Sequence, residues 1–349
     1  MALVNGSGRI AVIVVNCNRR DLLQACLLSL AQQEAVEFEV IVVDNGSSDG
    51  SQQLVAEFSA RPLFRVRLIA NHENRGFCAA NNQGIRAANA DFIALLNNDA
   101  EAGPGWLAAL RRCFDGRPDV GMAASKILVY DDPGRIDKAG HLIFPDGQNR
   151  GRGSGEEDLG QYDRMEEVLW PDGCAAMYRM RMLESIGGFD EDFFAYADDA
   201  ELGLRARIAG WKCLYTPEAV VRHHRGSTLG VASSRRLELI ERNRVLLAAK
   251  LFPWSLLWLN VPYYLARIGA GLLAAALGRG EIGRLPGIRG KLRAATALAK
   301  GDLQALRLLP RMLQKRREVR MMARLSPGEV RRLILSHRIP LRTLNQQSV

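Results

Sequence analysis

Three clusters of acidic and polar residues stand directly after short apolar runs, and each suits phosphate or sugar chemistry. The first, Asp44-Asn45-Gly46-Ser47-Ser48-Asp49-Gly50-Ser51, follows the apolar run 38–43. Asx and Ser capping accounts for such a strand-to-helix turn. A carboxylate at a strand tip also suits the N3–H of a uracil or thymine ring, with hydroxyls beside it for a ribose. The second, Asn97-Asn98-Asp99, ends the run 92–96. A turn accounts for it as well, but hard oxygen ligands here suit Mg²⁺ or Mn²⁺ bridging two phosphates, and Mg²⁺ commonly takes only one or two protein carboxylates. The third, Asp198-Asp199-Ala200-Glu201, opens a helix, where acids are favoured by capping and the helix dipole. Just before it stand Phe189, Phe193, Phe194 and Tyr196 among further acids. Aromatics beside acids form a sugar-binding wall in which one acid can take a proton from a hydroxyl. His223-His224 comes later; such a pair is more often structural, and beside a metal it becomes a candidate ligand or phosphate contact.

The elements that must position these residues follow from periodicity. Residues 10–15 form a β-branched run that stops at Asn16-Cys17-Asn18-Arg19. Leu22, Leu23, Cys26, Leu27 and Leu30 then share one face of a helix over 21–32. Strands over 38–43, 66–70 and 92–96 alternate with helices over 51–59 and 77–90. This alternation predicts a parallel sheet with right-handed crossovers, with ligands bound beyond the strand C-termini. No G-x-G-x-x-G follows the first strand, which disfavours a dinucleotide site. Residues 131–160 are dense in Gly, Asp and Arg and read as a long loop with one hairpin. A helix over 202–209 ends at Gly210, and 219–222 reads as a short strand before His223. From about residue 234 the chain is Arg- and Leu-rich and helical. The expected division is a catalytic part over 1–233 and a helical, basic, membrane-associating part over 234–349.

The length of 349 residues allows a sizeable core, and 48% hydrophobic with 24% charged residues is ordinary for a folded protein. The net charge of +9 is uneven: residues 279–342 hold 17 Lys/Arg against 4 Asp/Glu, which leaves the remainder net negative. Such a tail suits a polyanionic partner. It lacks the interleaved aromatics of stacking readout, so nucleic acid is not the expected partner. Residues 251–277 are apolar, but Pro253, Pro262 and Arg267 interrupt them, whereas a spanning helix needs about 20 apolar residues. Trp254, Trp258, Tyr263 and Tyr264 are types enriched at a membrane interface. An interfacial helix pair with the tail against anionic lipid is expected, with a packed subdomain or homodimer interface as the alternative. Six cysteines without a C-x-x-C pair read as buried reduced thiols, and the polar first nine residues do not read as a signal peptide.

Taken in order, Val15-Asn16-Cys17-Asn18-Arg19, Val43-Asp44-Asn45-Gly46-Ser47-Ser48-Asp49-Gly50-Ser51, Asn74-Arg75-Gly76-Phe77, Leu95-Leu96-Asn97-Asn98-Asp99, Gly187-Gly188-Phe189-Asp190-Glu191, Phe193-Phe194-Ala195-Tyr196, Asp198-Asp199-Ala200-Glu201-Leu202 and Pro217-Glu218-Ala219 leading to His223 resemble family 2 glycosyltransferases. The resemblance covers residues 10–227 and implies the GT-A fold, a Rossmann-like open mixed sheet flanked by helices, here with a helical C-terminal extension. It implies that Asp44 reads the pyrimidine and that Asn16, Arg19, Asn45, Arg75 and Asn98 line the nucleotide site. Asp99 matches the last acid of the D-x-D metal motif, and Asn97 departs from it where the first Asp usually stands. His223 matches a histidine completing the metal site in some members. Asp199 matches the general base, with Asp198 as its rival, and Trp170, Asp172, Phe194 and Tyr196 make the acceptor and sugar wall.

The subgroup resembles bacterial rhamnosyltransferases and galactofuranosyltransferases of cell-surface polysaccharides. The resemblance therefore implies an inverting enzyme using Mg²⁺ or Mn²⁺. It would move a sugar, rhamnose first among the candidates, from a dTDP- or UDP-sugar to a glycan or polyprenyl-linked acceptor. Its expected place is cytoplasmic, on the inner face of the bacterial plasma membrane. A catalytically silent sugar-binding module and a nucleotidyltransferase are the competing readings; the latter usually carries a Gly-rich phosphate loop where this chain has Asn-Cys-Asn.

Overall fold

The computed structural model describes residues 8–61, 64–224, 233–276, 287–340 and 343. Residues 225–232, just before the expected division at 233/234, and the tail's Arg279, Arg284 and Arg342 lie outside these residues. The strands are β1 (Ile10–Asn16), β2 (Phe38–Asn45), β3 (Arg65–Asn71), β4 (Phe92–Leu96), β5 (Ala100–Ala102), β6 (Val120–Val129), β7 (Ile136–Lys138), β8 (His141–Ile143), β9 (Asn149–Gly151), β10 (Glu166–Val168), β11 (Ala175–Arg179) and β12 (Lys212–His223). The main sheet runs β10-β12-β6-β11-β4-β1-β2-β3, with β5 on β12 and β7 on β6.

Strands β1 to β4 are mutually parallel where they pair. β11 enters antiparallel between β4 and β6, which makes the sheet mixed. The alternation of strands and helices thus describes one half of the sheet and not the other. β12 is also much longer than 219–222. Its pairing with β6 shifts register between Thr216 and Val220, and Pro217 sits in that irregularity, where a missing N–H is tolerated. The 131–160 stretch holds β7 and the β8–β9 hairpin.

Alternation along the central strands splits the core in two. Ala11, Ile13, Ile41 and Val43 face one cluster, and Ile10, Val12, Val14, Val40 and Val42 face the other. Helices α1 (Arg20–Leu30), α2 (Ser51–Ser59) and α4 (Trp106–Arg112) cover the second face with Leu23, Leu27, Leu54, Phe58, Trp106 and Leu110. Each such side chain contributes roughly 1.5–3 kcal/mol on full burial. Helices α3 (Gly76–Ala87), α5 (Met180–Ile186) and α6 (Asp198–Ile208) cover the first. α3 lies close on β1, because a Cβ at Gly84 would meet Ile13 Cγ2 at 2.7 Å.

The C-terminal part comprises α7 (Ser234–Leu251), α8 (Trp254–Leu257), α9 (Asn260–Ala276), α10 (Gly287–Met322) and α11 (Pro327–Ser336). Leu246, Leu247 and Phe252 of α7 and its C-terminal end join the cluster beneath the sheet, together with Ala305, Met312 and Val319 of α10. Much of this part's positive charge is spent internally. Lys250 bridges Asp190 and Glu201, Arg267 bridges Asp146 and Glu241, and Arg316 donates to the carbonyls of Ala249 and Phe252. All six cysteines are free, and all but Cys17 are buried.

Candidate active site

The nucleotide side is built on strand tips held in register, Asn16 opposite Asp44. Asn16 Nδ2 donates to Asp44 Oδ2 at 3.1 Å, and Asn98 Nδ2 donates to Asn16 Oδ1 at 2.7 Å. Three tips are thereby tied together. Asp44 is buried, and its carboxylate also accepts from Ser47 N, Ser47 Oγ and Gln52 Nε2. These donors fill the approximately four lone-pair sites of a carboxylate, so a base N–H reaching Asp44 must displace one of them. Asn18, at φ 51°, accepts the Ser48 N–H and orders the same loop. Arg19 is half-buried before α1, and Arg75 is exposed before α3. Asn45 does not open on this pocket: it is buried and exchanges hydrogen bonds with Asn71, Asn74 and the carbonyl of Gly76, bracing the turn into α3.

Asp99, just past β4, is buried, and its Oδ1 lies 3.3 Å from His223 Nε2 at the end of β12. His223 Nδ1 lies 2.7 Å from Asp137 Oδ2, which is fully buried on β7. A buried carboxylate behind an imidazole fixes its tautomer and orientation. One carboxylate and one oriented imidazole fit a divalent cation whose other positions go to diphosphate and water. His224 turns away, stacking on Tyr130 with ring centroids 3.5 Å apart and facing Glu101. Only the first histidine of the pair turns its side chain to Asp99; His224 meets Asp99 through its backbone, N to O at 2.9 Å.

The acceptor side centres on a short loop in uncommon backbone conformations. Phe194, Tyr196 and Ala197 have φ of 63°, 68° and 53°, strained values that persist where the surroundings over-determine them. Gly76 is part of the reason, since a Cβ there would meet Phe194 Cδ2 at 2.5 Å. The rest comes from α7. Asn243 Nδ2 donates to the carbonyls of Phe193, Ala195 and Tyr196 at 2.9, 2.8 and 2.7 Å, and Arg242 donates to those of Asp192 and Phe193. Phe194 is 36% exposed and Tyr196 half-buried, as wall residues require. Trp170 does not belong to that wall. It is fully buried, fills the space left by Gly203 and stacks on His141 with centroids 5.8 Å apart. Asp172 is likewise buried, bonded to Lys138 Nζ at 2.6 Å and His141 Nε2 at 2.7 Å.

The residue before α6 is Ala197, and no side chain caps the helix. Neither Asp198 nor Asp199 is therefore its N-cap, and their environments differ. Burial, then the neighbouring Asp199 charge, pushes the Asp198 carboxyl well above the usual range. Asp199 is raised by burial too, but His141 and Lys138 pull against that rise. Its Oδ2 accepts from Gly173 N at 3.2 Å and lies 3.5 Å from His141 Nε2. Both carboxyls are raised, Asp198 the more strongly, which leaves Asp199 the readier of the two to ionise. Lys138, His141, Asp137, Arg242 and Asn243 carry no sequence motif; the first three lie on strands of three residues, the last two within a basic helix.

The chain belongs to glycosyl transferase family 2, whose model matches residues 11–187, and it is a glycosyltransferase. It is 30% identical, over 72% of its own length, to O-antigen biosynthesis protein RfbC of Myxococcus xanthus, of which it spans 20%. It is 29% identical to an N-acetylglucosaminyl-diphospho-decaprenol L-rhamnosyltransferase of Mycobacterium tuberculosis, over 58% of this chain and 71% of that one. Among solved structures, a mannosyltransferase from Pyrobaculum calidifontis in complex with GDP-Man and Mn²⁺ aligns with a TM-score of 0.55 at 21% identity, covering 91% of this chain and 86% of that one. S. aureus TarS aligns at 0.52 and 16%, covering 94% and 55%. The fold shared with these glycosyltransferases is GT-A.

Proposed function

We propose that the protein is an inverting glycosyltransferase that moves a sugar, with rhamnose the leading candidate, from a dTDP- or UDP-sugar to a hydroxyl of a glycan or polyprenyl-linked acceptor. The observation that carries this reading is the placement of Asp199 just after the Phe194–Tyr196 loop, with its carboxyl raised less than that of Asp198 because His141 and Lys138 oppose the effect of burial. The named rhamnosyltransferase relative favours the sugar and a lipid-linked acceptor.

In this mechanism the nucleoside lies across the tips of β1 and β2, meeting Asn16, Asp44 and Asn98, with Arg19 and Arg75 toward the phosphates. Asp99 and His223 would hold Mg²⁺ or Mn²⁺, which when bound supplies Lewis-acid neutralisation of the leaving diphosphate. Asp199 takes the acceptor hydroxyl proton as that oxygen attacks the anomeric carbon. The bond from that carbon to the diphosphate breaks on the opposite face, so a single displacement inverts configuration. A base of this kind contributes about 10²–10⁴-fold in rate. Release of nucleoside diphosphate from a panel of sugar nucleotides, with and without Mn²⁺, tests the reading; no turnover with any donor overturns it. Asp99→Ala is expected to abolish metal-dependent turnover with the melting temperature retained. Full activity of the native protein in excess EDTA would remove the metal from the mechanism.

The acceptor reading extends to a membrane surface. Among the described residues, no helix is long and apolar enough to cross a membrane. α8 and α9 nevertheless turn apolar side chains outward: Trp258 is 81% exposed, and Trp254, Val261, Leu265 and Leu273 are exposed with it. The opposite side of α9 uses Arg267 and Tyr264 against Glu241 and Asp302. An apolar outer stripe near a basic helix suits the interface of an anionic bilayer, on the inner face of the plasma membrane. Binding to anionic vesicles is expected, with partial release at high salt. Trp258→Glu with Leu265→Glu is expected to weaken it by at least about tenfold, given the size of the apolar terms. Unchanged vesicle binding, or dimer dissociation by the same variant, would reassign the stripe.

A further inference from the structure

Lys138, Asp172, His141 and Asp199 form a buried row. Lys138 Nζ lies 2.6 Å from Asp172 Oδ2, His141 Nε2 lies 2.7 Å from the same oxygen, and His141 Nε2 lies 3.5 Å from Asp199 Oδ2. The four residues come from β7, β8, the segment before β11 and the start of α6. Cys174 N holds the second oxygen of Asp172 at 2.9 Å.

Asp172 is thus fixed from three sides, and it fixes the imidazole in turn. His141 is buried, its ring lies against Trp170, and its Nδ1 has no hydrogen-bond partner. A proton on Nδ1 would be a buried donor without an acceptor, which is costly. A ring proton is therefore placed on Nε2, which meets Asp172 Oδ2 at 2.7 Å and has Asp199 Oδ2 at 3.5 Å. His141, Asp172 and Asp199 also have ligand atoms within 4.8 Å of one another, close enough for a metal ion. The Lys138 ammonium already meets the Asp172 oxygen that such an ion would share, so the positive charge of this row is supplied by the chain itself.

We propose that His141 is a positioning residue for Asp199: pinned by Asp172 and Lys138, its imidazole edge, 3.5 Å from Asp199 Oδ2 at Nε2, orients the Asp199 carboxylate. This rests on the reading of Asp199 as the base. It explains why the rise that burial imposes on Asp198 is moderated at the next residue. The titratable and charged groups facing Asp199 are Asp198 on its own helix, Asp172, Lys138 and His141 across from it, and the buried Tyr178 of β11. Of these, only Lys138 and His141 favour its carboxylate.

The test is the pH dependence of kcat/KM for His141→Phe and His141→Gln, with nucleotide affinity and melting temperature measured alongside. Removing a polar neighbour that favours a carboxylate raises that carboxylate's pKa, so the base protonates at higher pH. His141→Phe is expected to move the acid limb up by about one pH unit, the lower end of the effect of a nearby favourable charge or hydrogen bond. KM for the donor stays close to native. His141→Gln, which retains an N–H, is expected to recover part of the shift. A merely structural role lowers kcat and melting temperature together and leaves the limb in place, and that result overturns the proposal. So does loss of a bound Mn²⁺, measured calorimetrically in either variant, since it makes the row a metal site. If His141→Phe does not fold, His141→Asn, whose shorter side chain withdraws from Asp199, must move the same limb upward. Asp199→Asn run in parallel separates the two layers. A dead Asp199→Asn with an unmoved limb sinks only the positioning role, whereas an active Asp199→Asn sinks the base and the positioning role with it.

Discussion

Asp199→Asn is expected to lose at least about 10²-fold in kcat while nucleoside diphosphate and Mn²⁺ still bind and the melting temperature changes little. An asparagine keeps an oxygen for one of the N–H groups of Gly173 and Ala200, which meet Oδ2 and Oδ1 of Asp199 at 3.2 and 2.7 Å, but it has no basic carboxylate. A loss confined to kcat is the signature of an interaction used in the transition state. Asp198→Asn should behave oppositely. Asp198 is buried with its carboxyl pushed well above the usual range, first by burial and then by Asp199. A folded-state pKa raised above the unfolded value, near 3.9, means that stability is lost as pH rises from there towards the folded value. An asparagine mimics the neutral acid and removes that loss. Asp198→Asn is therefore expected to keep turnover and to melt higher than native above about pH 4, with the gain vanishing below it. A dead Asp198→Asn beside an active Asp199→Asn would move the base back one residue. If both stay active, the choice narrows. Glu201 is ion-paired with Arg205 and Lys250, and burial of Asp190 is outweighed by Lys250 and Lys315, which hold it at about 2. Glu191, bonded to Asn82, would be the next acid to test.

What the sequence makes legible here is tied to burial pattern. The runs 10–15, 38–43 and 92–96 are buried on both faces, so they read as continuous apolar strands, and the polar residues at their tips stand out. Asp44, Asn98 and Asp99 are legible for that reason, whereas Asp199 is read from acids at a helix start that follow a run of aromatics. β7, β8 and β9 are three residues each, too short for period-2 alternation to show, and Asp137, Lys138 and His141 sit on or beside them. β12 was shortened in the reading because Pro217 falls at its register shift. Trp170 looked like an aromatic free to stack on sugar; only the three-dimensional placement of Gly203 against it shows that it is core. The tail misleads in another way. Formal charge does not distinguish an arginine facing lipid from Arg242 or Arg316 donating to buried carbonyls, nor does composition reveal that Asn243 holds the loop before α6.

The same helix supports the site through charge. Glu201, one turn into α6, is fully buried and accepts from Arg205 Nε at 2.8 Å, Arg205 Nη2 at 2.8 Å and Lys250 Nζ at 2.7 Å. Arg205 in turn donates to the carbonyls of Gly187 and Gly188 at 3.0 and 2.6 Å, and Lys250 reaches Asp190 at 2.6 Å. One carboxylate thus joins α6, α7 and the turn 187–190. Removing one member of a buried ion pair costs about 3–5 kcal/mol, because the remaining charge is left uncompensated. Lys250 keeps Asp190 and Arg205 keeps its carbonyls, so Glu201→Gln is expected near the lower end, about 3 kcal/mol by chemical denaturation at pH 7. The pH dependence fixes the cause. Burial would raise Glu201, but Arg205 and Lys250 outweigh it and hold its carboxyl below the usual value. A depressed folded-state pKa gives stability that is present above the unfolded value, near 4.3, and is lost as pH falls through the folded one. The difference between native protein and Glu201→Gln should therefore be full at pH 7 and shrink once pH drops below about 4. A difference that stays constant down to pH 3 would assign the loss to packing rather than charge. A difference under about 0.5 kcal/mol at pH 7, the range of ordinary surface changes, would mean that the network is not what holds α6. Because Asp199 lies two residues before Glu201 on that helix, the destabilised variant should also lose kcat, and Glu201→Gln should lose less of it than Asp199→Asn.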